Sequence, residues 1–312
     1  MHLLIPFAFC SSDGCAAAVR SLQLPHLEKL LARLTPGPLD SGDEYSLSTP
    51  HERALARTLG LAGDDGMIAW AALQAAQTGH AGGAWAFVTP CHWHSSAKHV
   101  AMSALALPDF TAQESQTLLA AMQPYFEEDG ITLHYAQPQR WLARSDLFNG
   151  LASASLDRVA GRNIKNWLPR GHSAIRLQRL QAEMQMLLYT HPVNDQRVAR
   201  GVPVVNSFWL SGTGALEPSP GQPAIATPGA LPSTLREGAL TEDWTAWSQA
   251  WSRLDATECA ALLRSLNQGE RVQLTLCGER KTQSWSAQGP GHYHRLMSLF
   301  GSQSPSGVLE KL

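Results

Sequence analysis

The chain has 312 residues, of which 44% are hydrophobic and 16% charged, and its formal net charge at pH 7 is -2. This composition is that of a globular protein with a substantial core, and it excludes a largely disordered chain. The nearly balanced charge provides no general attraction to nucleic acid or to an anionic membrane, so neither is expected as a partner.

The cysteines indicate the redox environment. They are odd in number and include no CxxC pair: Cys10, Cys15, Cys91, Cys259 and Cys277. Such a set predicts reduced thiols in a cytoplasmic protein and not a disulfide framework. The sequence has no run of about 18 apolar residues, so no membrane span is predicted.

The first third of the chain alternates short apolar runs with helical patterns. The apolar runs predict strands at 3–9 and 84–89. Helical spacing of apolar residues predicts helices at 22–34, 50–61 and 67–78, with a polar loop at 39–49.

The middle of the chain has a different pattern. A capping box formed by Thr111 and Glu114 predicts the start of a helix that runs to residue 126. Short strands are predicted on either side of it, at 100–107, 131–135 and 139–143. Residues 90–165 are therefore interpreted as a small α+β unit inserted into an α/β chain.

The stretch from Trp167 to Gly214 combines a group of polar residues with an apolar run that is predicted to form a buried strand. A patterned helix is predicted at 173–189, and a polar knot of His191, Asn194, Arg197 and Arg200 follows it. The next apolar run predicts a strand at 204–210, which ends in Ser211-Gly212-Thr213-Gly214.

The last third begins with a segment rich in Pro and Gly, at 217–232, which predicts a surface loop. A long or broken helix is predicted at 241–266, with Trp244, Trp247 and Trp251 at helical spacing. These tryptophans are interpreted as core residues, with a partner surface as the alternative. A strand at 271–276 and a short helix at 292–300 complete the pattern.

The alternation predicts an α/β fold with a mainly parallel sheet flanked by helices and a small α+β insertion. The predicted core comprises residues 1–89 and 204–312, and residues 90–203 form the inserted unit with its linking helix. Ligands gather at the carboxyl ends of parallel strands. The candidate positions there are Ser11, Ser12 and Asp13, residues 89–92, residues 211–214 and residues 278–280.

Several motifs resemble a known family. WLPRG, LQAEMQMLLYTHPVNDQRVARG and PVVNSFWLSG resemble the RpfE-type regulatory proteins, a group described as cofactor-independent phosphoglycerate mutase-like. The resemblance extends through DGITLHY, QRWLA, LTEDWTAWSQAW and LTLCGER, nearly end to end. More distantly, the HPVN stretch and the residues after it are similar to the archaeal-type phosphoglycerate mutases of the alkaline phosphatase superfamily. This resemblance implies a reduced alkaline-phosphatase-like core.

The distant resemblance also implies a two-metal phosphotransferase. Such an enzyme needs carboxylates and histidines around two divalent ions, beside a serine that accepts the phosphoryl group. In the mutases an Asp-Gly pair directly follows the first strand, whereas here residues 7–10 are FAFC and Asp13-Gly14 comes later. The C-terminal third offers Asp243, Asp255, His292 and His294, and these do not reproduce the clustered ligands of the mutases.

The polar knot allows two interpretations. Its guanidinium groups, imidazole and amide suit a phosphate or carboxylate ligand, so an anionic small molecule is one predicted partner. Alternatively, these side chains satisfy backbone groups at a helix end. Ser211, Gly212 and Gly214 are likewise interpreted either as an anion cradle or as a plain turn. Glu183 either pairs with an arginine or lies at the edge of an apolar helix face.

Cys91, His92, His94 and His99 form the densest set of metal-capable side chains. The first three are weak candidate ligands, because a neighbouring Cys and His rarely reach one ion together. Coincidental histidines at the end of a strand are the alternative.

Two functional hypotheses follow. In the first, the chain is a phosphoglycerate mutase-like protein without the two-metal site, and it acts as a regulatory protein that binds a ligand, a protein partner or a second copy, without a cofactor. In the second, it is an active metal-dependent mutase or phosphohydrolase that uses a divalent metal such as Mn or Zn.

Overall fold

The computed structural model describes residues 1–61, 63–80, 82–96, 99–216, 231–287 and 304–312, and for His172 the backbone only. The chain forms two compact units. The first contains Met1–Glu44, Thr49–Gly60 and the described part of Pro223–Leu312, and the second contains Tyr45–Ser48 and the described part of Leu61–Gln222.

This division differs from the predicted boundaries at residues 89/90 and 203/204. The apolar runs at 84–89 and 204–210 were both predicted to be strands of the α/β core that also contains the N-terminal strand. In the structure the strands at these positions pair with each other and belong to the second unit. Short apolar runs identify strands but not their partners, which explains the difference.

The strands, in chain order, are β1 (His2–Ile5), β2 (Thr35–Ser41), β3 (Ala84–Cys91), β4 (Trp93–Ser95), β5 (Val100–Met102), β6 (Thr132–Gln137), β7 (Arg140–Arg144), β8 (Ser207–Ala215), β9 (Gln273–Cys277) and β10 (Lys281–Ser286).

The α-helices are α1 (Asp13–Ser21), α2 (Pro25–Leu31), α3 (Pro50–Leu59), α4 (Trp70–Gln77), α5 (Ala112–Glu128), α6 (Leu156–Val159), α7 (His172–Tyr189), α8 (Pro192–Ala199), α9 (Arg236–Leu240), α10 (Trp244–Leu254), α11 (Ala260–Asn267) and α12 (Pro305–Leu309). A π-helical turn at Asp255–Cys259 joins α10 to α11, so the predicted long helix is a broken one. The predicted helix at 292–300 and most of the predicted loop at 217–232 lie outside the described residues.

The fold is mixed α/β, as predicted, but the prediction of a mainly parallel sheet is wrong for the described strands. The sheet of the first unit has the order β1-β9-β10-β2, and its parallel pair is β1 with β9. Strand β10 runs antiparallel to both of its neighbours. Strand β10 follows β9 through a tight hairpin, and a hairpin forces antiparallel pairing. The alternation of strand and helix patterns in the sequence does not reveal this pairing.

Helices cover both faces of the first sheet. Leu3 and Ile5 of β1 are fully buried in a core with residues of α1, α2, α10 and α11. Leu4 points to the opposite face and packs with Cys277 and with Ala54 of α3. Alternate residues of the same strand therefore face different helices, as the period of two requires.

The second unit contains an antiparallel sheet of order β6-β7-β3-β8. Ala86 and Val88 face a core that includes residues of α5 and α7. Trp85 faces the other side, where α4 supplies a layer of alanines. A separate two-stranded sheet pairs β4 with β5. Among the helices described in either unit, none is long and apolar enough to cross a membrane.

Candidate functional site

The polar knot lies around the junction of α7 with α8. His191 is the residue that caps the N-terminus of α8, and its Nδ1 accepts a hydrogen bond of 3.2 Å from the backbone N–H of Val193. Burial lowers the pKa of the His191 imidazole, and the nearby Asp195 opposes this shift. The neutral ring that burial favours is the form that can accept the capping hydrogen bond.

Asn194 connects the end of α7 to the segment before β8. Its Nδ2 donates to the carbonyl oxygens of Leu188 and Val205, each at 2.7 Å. Its Oδ1 accepts from the N–H of Val205 at 2.9 Å. The buried amide thus satisfies backbone groups on two segments, which is the structural alternative of the two predicted roles.

Arg197 is fully buried and directs its donors at protein acceptors. Its Nε donates to the Pro203 carbonyl at 2.8 Å, and its Nη2 donates to the Pro108 carbonyl at 3.0 Å. Its Nη1 lies 3.3 and 3.4 Å from the two carboxylate oxygens of Glu114. The guanidinium also lies 5.4 Å from the centre of the Phe110 ring.

Glu114 is the negative centre of this cluster. It belongs to the predicted capping box of α5, where its carboxylate accepts from the N–H of Thr111 at 2.9 Å. Arg197 and Arg200 both form ion pairs with the same carboxylate. Burial alone would raise the pKa of Glu114, but the Thr111 hydrogen bond and the two arginines together lower it.

These contacts bear on the predicted anion site. The charge of Arg197 is balanced by Glu114, and all three nitrogens of its guanidinium have acceptors within the protein. Arg200 donates from Nη2 to the same carboxylate. Arg200 alone among the four knot residues has a half-exposed side chain, at 45%. The arrangement therefore supports a structural role for His191, Asn194 and Arg197.

Ser211, Gly212 and Gly214 lie within β8, so the predicted plain turn is wrong. Their segment pairs with β3, and Ser211 is buried opposite Phe87. Gly212 has a φ of +61°, and a Cβ there would lie 3.0 Å from the Phe87 ring and 3.1 Å from Trp70. These glycines allow the helical layer and an aromatic ring to approach the strand closely, a use of glycine that does not require an anion.

The predicted metal candidates have different surroundings in the structure. Cys91 is buried, and burial raises the pKa of its thiol. His92 Nδ1 hydrogen-bonds the Val204 carbonyl at 2.8 Å, and His94 Nε2 lies 2.9 Å from the Ser103 hydroxyl. The two imidazole rings contact each other with centroids 4.4 Å apart.

In the part of the chain that the structure describes, no three His, Cys, Asp or Glu side chains are grouped so that they could hold a metal ion. Asp243 caps α10, and Asp255 accepts hydrogen bonds from backbone N–H groups at the start of α2. His292 and His294 lie outside the described residues. The described residues do not fit the two-metal centre that the resemblance implies.

The other candidate residues have local roles. Ser12 caps α1 by accepting from the N–H of Cys15, and the Ser11 N–H donates to Glu279 at 3.0 Å. Glu183 is partly exposed and lies 3.5 Å from Arg179 on the same helix. Trp247 and Trp251 are fully buried, which confirms their interpretation as core residues.

One surface feature was not predicted. Three large apolar side chains of α7 are exposed to solvent: Ile175 at 67%, Met186 at 73% and Tyr189 at 82%. Their spacing in the sequence would have identified them, because residues 175, 186 and 189 share one helix face. That face is opposite to the one that Leu180, Met184 and Leu188 bury in the core.

Comparisons with known proteins leave the family open. No protein-family model matches the chain, and no curated protein matches it. The chain is similar to the cofactor-independent phosphoglycerate mutase from Thermoplasma acidophilum DSM 1728, at 14% identity and a TM-score of 0.37, over 100% of this chain and 99% of that one. It is also similar to the PH0037 protein from Pyrococcus horikoshii, at 12% identity and a TM-score of 0.38, over 93% and 87% of the two chains. Similarity at this level assigns neither a family nor an activity.

Proposed function

We propose that this protein acts by association and not by catalysis, and that its contact surface is the exposed face of α7. The observation that carries this proposal is the exposure of Ile175, Met186 and Tyr189. Met186 and Tyr189 are neighbours on this face, and Ile175 lies about three helical turns away on the same face. Exposed apolar side chains that share one face can mark an interaction site. The motifs that resemble the RpfE-type regulatory proteins support a regulatory role for such association.

The spacing on α7 supports a helical partner. We define the α7 stripe by its members, which follow one another at intervals of four and three residues: Ile175, Arg179, Ala182, Met186 and Tyr189. This alternation is the a/d pattern of helices that pack side by side. Because the core of the second unit already occupies the opposite face, the stripe remains available for a second helix.

The charges beside the stripe favour a second copy of this chain as the occupant. Arg176 and Glu183 lie on the same side of the stripe, seven residues apart, and the other side carries Gln178 and Gln185. In an antiparallel pair of α7 helices, like flanks face each other, so Arg176 of one copy faces Glu183 of the second. A two-fold axis repeats this contact. In a parallel pair, Arg176 and Glu183 of one copy would instead face glutamines of the second copy.

The proposed contact is small. A helix of 18 residues is about 27 Å long. One pair of such helices lies at the low end of the range in which stable interfaces bury about 800 Å² per partner. The dimer is therefore expected to dissociate on dilution.

Sedimentation velocity over a range of protein concentrations tests this proposal. The chain is expected to shift from monomer to dimer as its concentration rises, and Met186→Glu is expected to abolish the shift by placing two buried charges in the contact. Leu105→Glu is the matched control, because Leu105 is exposed at 43% in a loop of the second unit. A monomer at every concentration, or equal loss in both variants, contradicts the proposal.

A charge exchange tests the antiparallel arrangement. Arg176→Glu is expected to weaken the dimer about tenfold, or ~1.4 kcal/mol, because like charges then face each other twice. Adding Glu183→Arg to the same chain is expected to restore the original affinity. A double variant that remains as weak as Arg176→Glu would show that these two residues do not meet.

Catalysis is tested separately. The resemblance implies 3-phosphoglycerate as the substrate to try, with Mn²⁺ or Zn²⁺ added to the full chain. No turnover is expected, because the Arg197 guanidinium is engaged by Glu114 and by backbone carbonyls. Turnover that disappears on chelation of the metal would overturn the non-catalytic part of the proposal while leaving the dimer unaffected.

A further inference from the structure

Two cysteines of the first unit contact each other in the turn between β1 and α1. The backbone N–H of Cys10 donates a hydrogen bond of 3.2 Å to the sulfur of Cys15. The two side chains are also within hydrogen-bonding distance of each other. Cys10 is partly exposed, whereas Cys15 is fully buried.

The local sequence explains why the two thiols meet. Ser12 is the N-cap of α1, and its hydroxyl accepts a hydrogen bond from the N–H of Cys15. This cap turns the chain sharply, so that Cys15 on the first helical turn lies back against Cys10. The 3.2 Å contact between the Cys10 backbone N and the Cys15 sulfur brings that sulfur beside the residue with which a disulfide would form.

The electrostatics distinguish Cys15 from the other buried cysteines. The hydrogen bond from the Cys10 thiol lowers the pKa of Cys15, and this effect outweighs its burial. Burial instead raises the pKa of Cys91 and Cys259, and it raises the pKa of Cys277 to about 12. The thiolate is the reactive form of cysteine, so Cys15 is the buried thiol best prepared to react.

We propose that Cys10 and Cys15 form a reversible redox pair that a low-molecular-weight disulfide oxidises. The accessible Cys10 sulfur loses its proton to solvent and attacks one sulfur of the small disulfide, which forms a mixed disulfide and releases one small thiolate. The Cys15 thiol then gives up its proton to solvent, and its sulfur attacks the Cys10 sulfur, which forms the intramolecular disulfide and releases the second small thiolate. Two electrons pass from the protein to the small disulfide, which leaves as two thiols after protonation.

The experiment uses the full chain and glutathione. The protein is equilibrated in buffers of increasing ratio of oxidised to reduced glutathione, its free thiols are alkylated after acid quenching, and tryptic peptides are weighed. Peptide 1–20 contains both cysteines and ends at Arg20. It is expected to lose two hydrogens and to escape alkylation as the oxidised fraction rises, and to regain both thiols on reduction. Two alkylated cysteines at every ratio would overturn the proposal.

Two serine variants test the order of the steps. Cys15→Ser removes the second attacking sulfur, so Cys10 is expected to accumulate as the mixed disulfide with glutathione. Cys10→Ser leaves only the buried thiol, which is expected to remain free of glutathione. Glutathione on Cys15 in that variant would contradict the proposed order. The unmodified chain decides the main question even if a variant fails to fold, because its titration requires no substitution.

Discussion

Arg197 is a buried charged residue, and Glu114 is the carboxylate that balances its charge. A guanidinium with no exposure to solvent is stable only if its charge and its donors are matched, and here one carboxylate and two carbonyls match them. Arg197 was a candidate for binding an anionic ligand because it lies in a dense polar motif. Its partner Glu114 lies 83 residues away. No local pattern connects the two residues, and this explains why the ion pair of Arg197 with Glu114 could not be predicted, although a structural role for Arg197 was one of the two predicted alternatives.

Replacing Arg197 by alanine is expected to destabilise the protein by about 3–5 kcal/mol, because the substitution leaves Glu114 with a buried charge that has lost its main partner. The effect is measured as the free energy of unfolding in urea. Arg200→Ala is the control, since its half-exposed side chain pairs with the same carboxylate. It is expected to cost at most about 1 kcal/mol. Equal costs for the two variants would contradict the structural role assigned to Arg197.

His134 should contribute to the pH dependence of stability. Burial lowers the pKa of its imidazole, and the nearby His80 and Arg144 lower it further. The unfolded chain therefore binds more protons than the folded one once the pH falls below the ordinary histidine pKa of about 6.5. Stability is expected to fall as the pH is lowered from 8 to 5, and His134→Gln should reduce that fall. The comparison requires urea unfolding of both proteins at each pH, and an unchanged or steeper fall in the variant would exclude this role.

At the scale of elements, helices and strands could be predicted where the sequence contains a local signal, such as a capping box or apolar periodicity. The capping box at Thr111 and Glu114 gave the start of α5, and apolar periodicity gave α7. Strand β2 was missed because its sequence, TPGPLDS, contains two prolines. Such a strand is tolerated at the edge of a sheet, where half of its backbone N–H groups need no partner. Helix α8 was missed because its polar residues were interpreted as a knot.

The close approach at Gly212 provides a test of packing between elements. Gly212→Ala is expected to destabilise the second unit, because the residue has a φ of +61° and its new Cβ would lie 3.0 Å from the Phe87 ring. Gly150 has nearly the same φ, +64°, and nothing lies within 4 Å of a Cβ there. Gly150→Ala should therefore cost about 1 kcal/mol for the backbone alone, and Gly212→Ala should cost more. An equal loss of unfolding free energy in the two variants would show that the Phe87 ring moves aside without cost.

At the scale of the whole molecule, the proposed association should make stability depend on concentration. A dimer that forms only from folded chains shifts the unfolding equilibrium by mass action. The midpoint of thermal unfolding is therefore expected to rise with protein concentration for the unmodified chain and to stay constant for Met186→Glu. A midpoint that is independent of concentration in both proteins would count against self-association. The spacing of the stripe residues can be read from the sequence. Only the structure shows which face of α7 is buried in the core and which is exposed.

The pairing of β1 with β9 also has a consequence for biosynthesis. His2 pairs with Gln273, so β1 needs a partner that is synthesised about 270 residues after it. At about 5–20 residues per second, the nascent β1 waits on the order of 15–50 s for that partner. Most of the second unit, including its complete four-stranded sheet, leaves the ribosome within that interval. The sheet of the first unit therefore cannot be completed until the second unit has been synthesised, and the apolar strand β1 has no β9 to pair with during that interval.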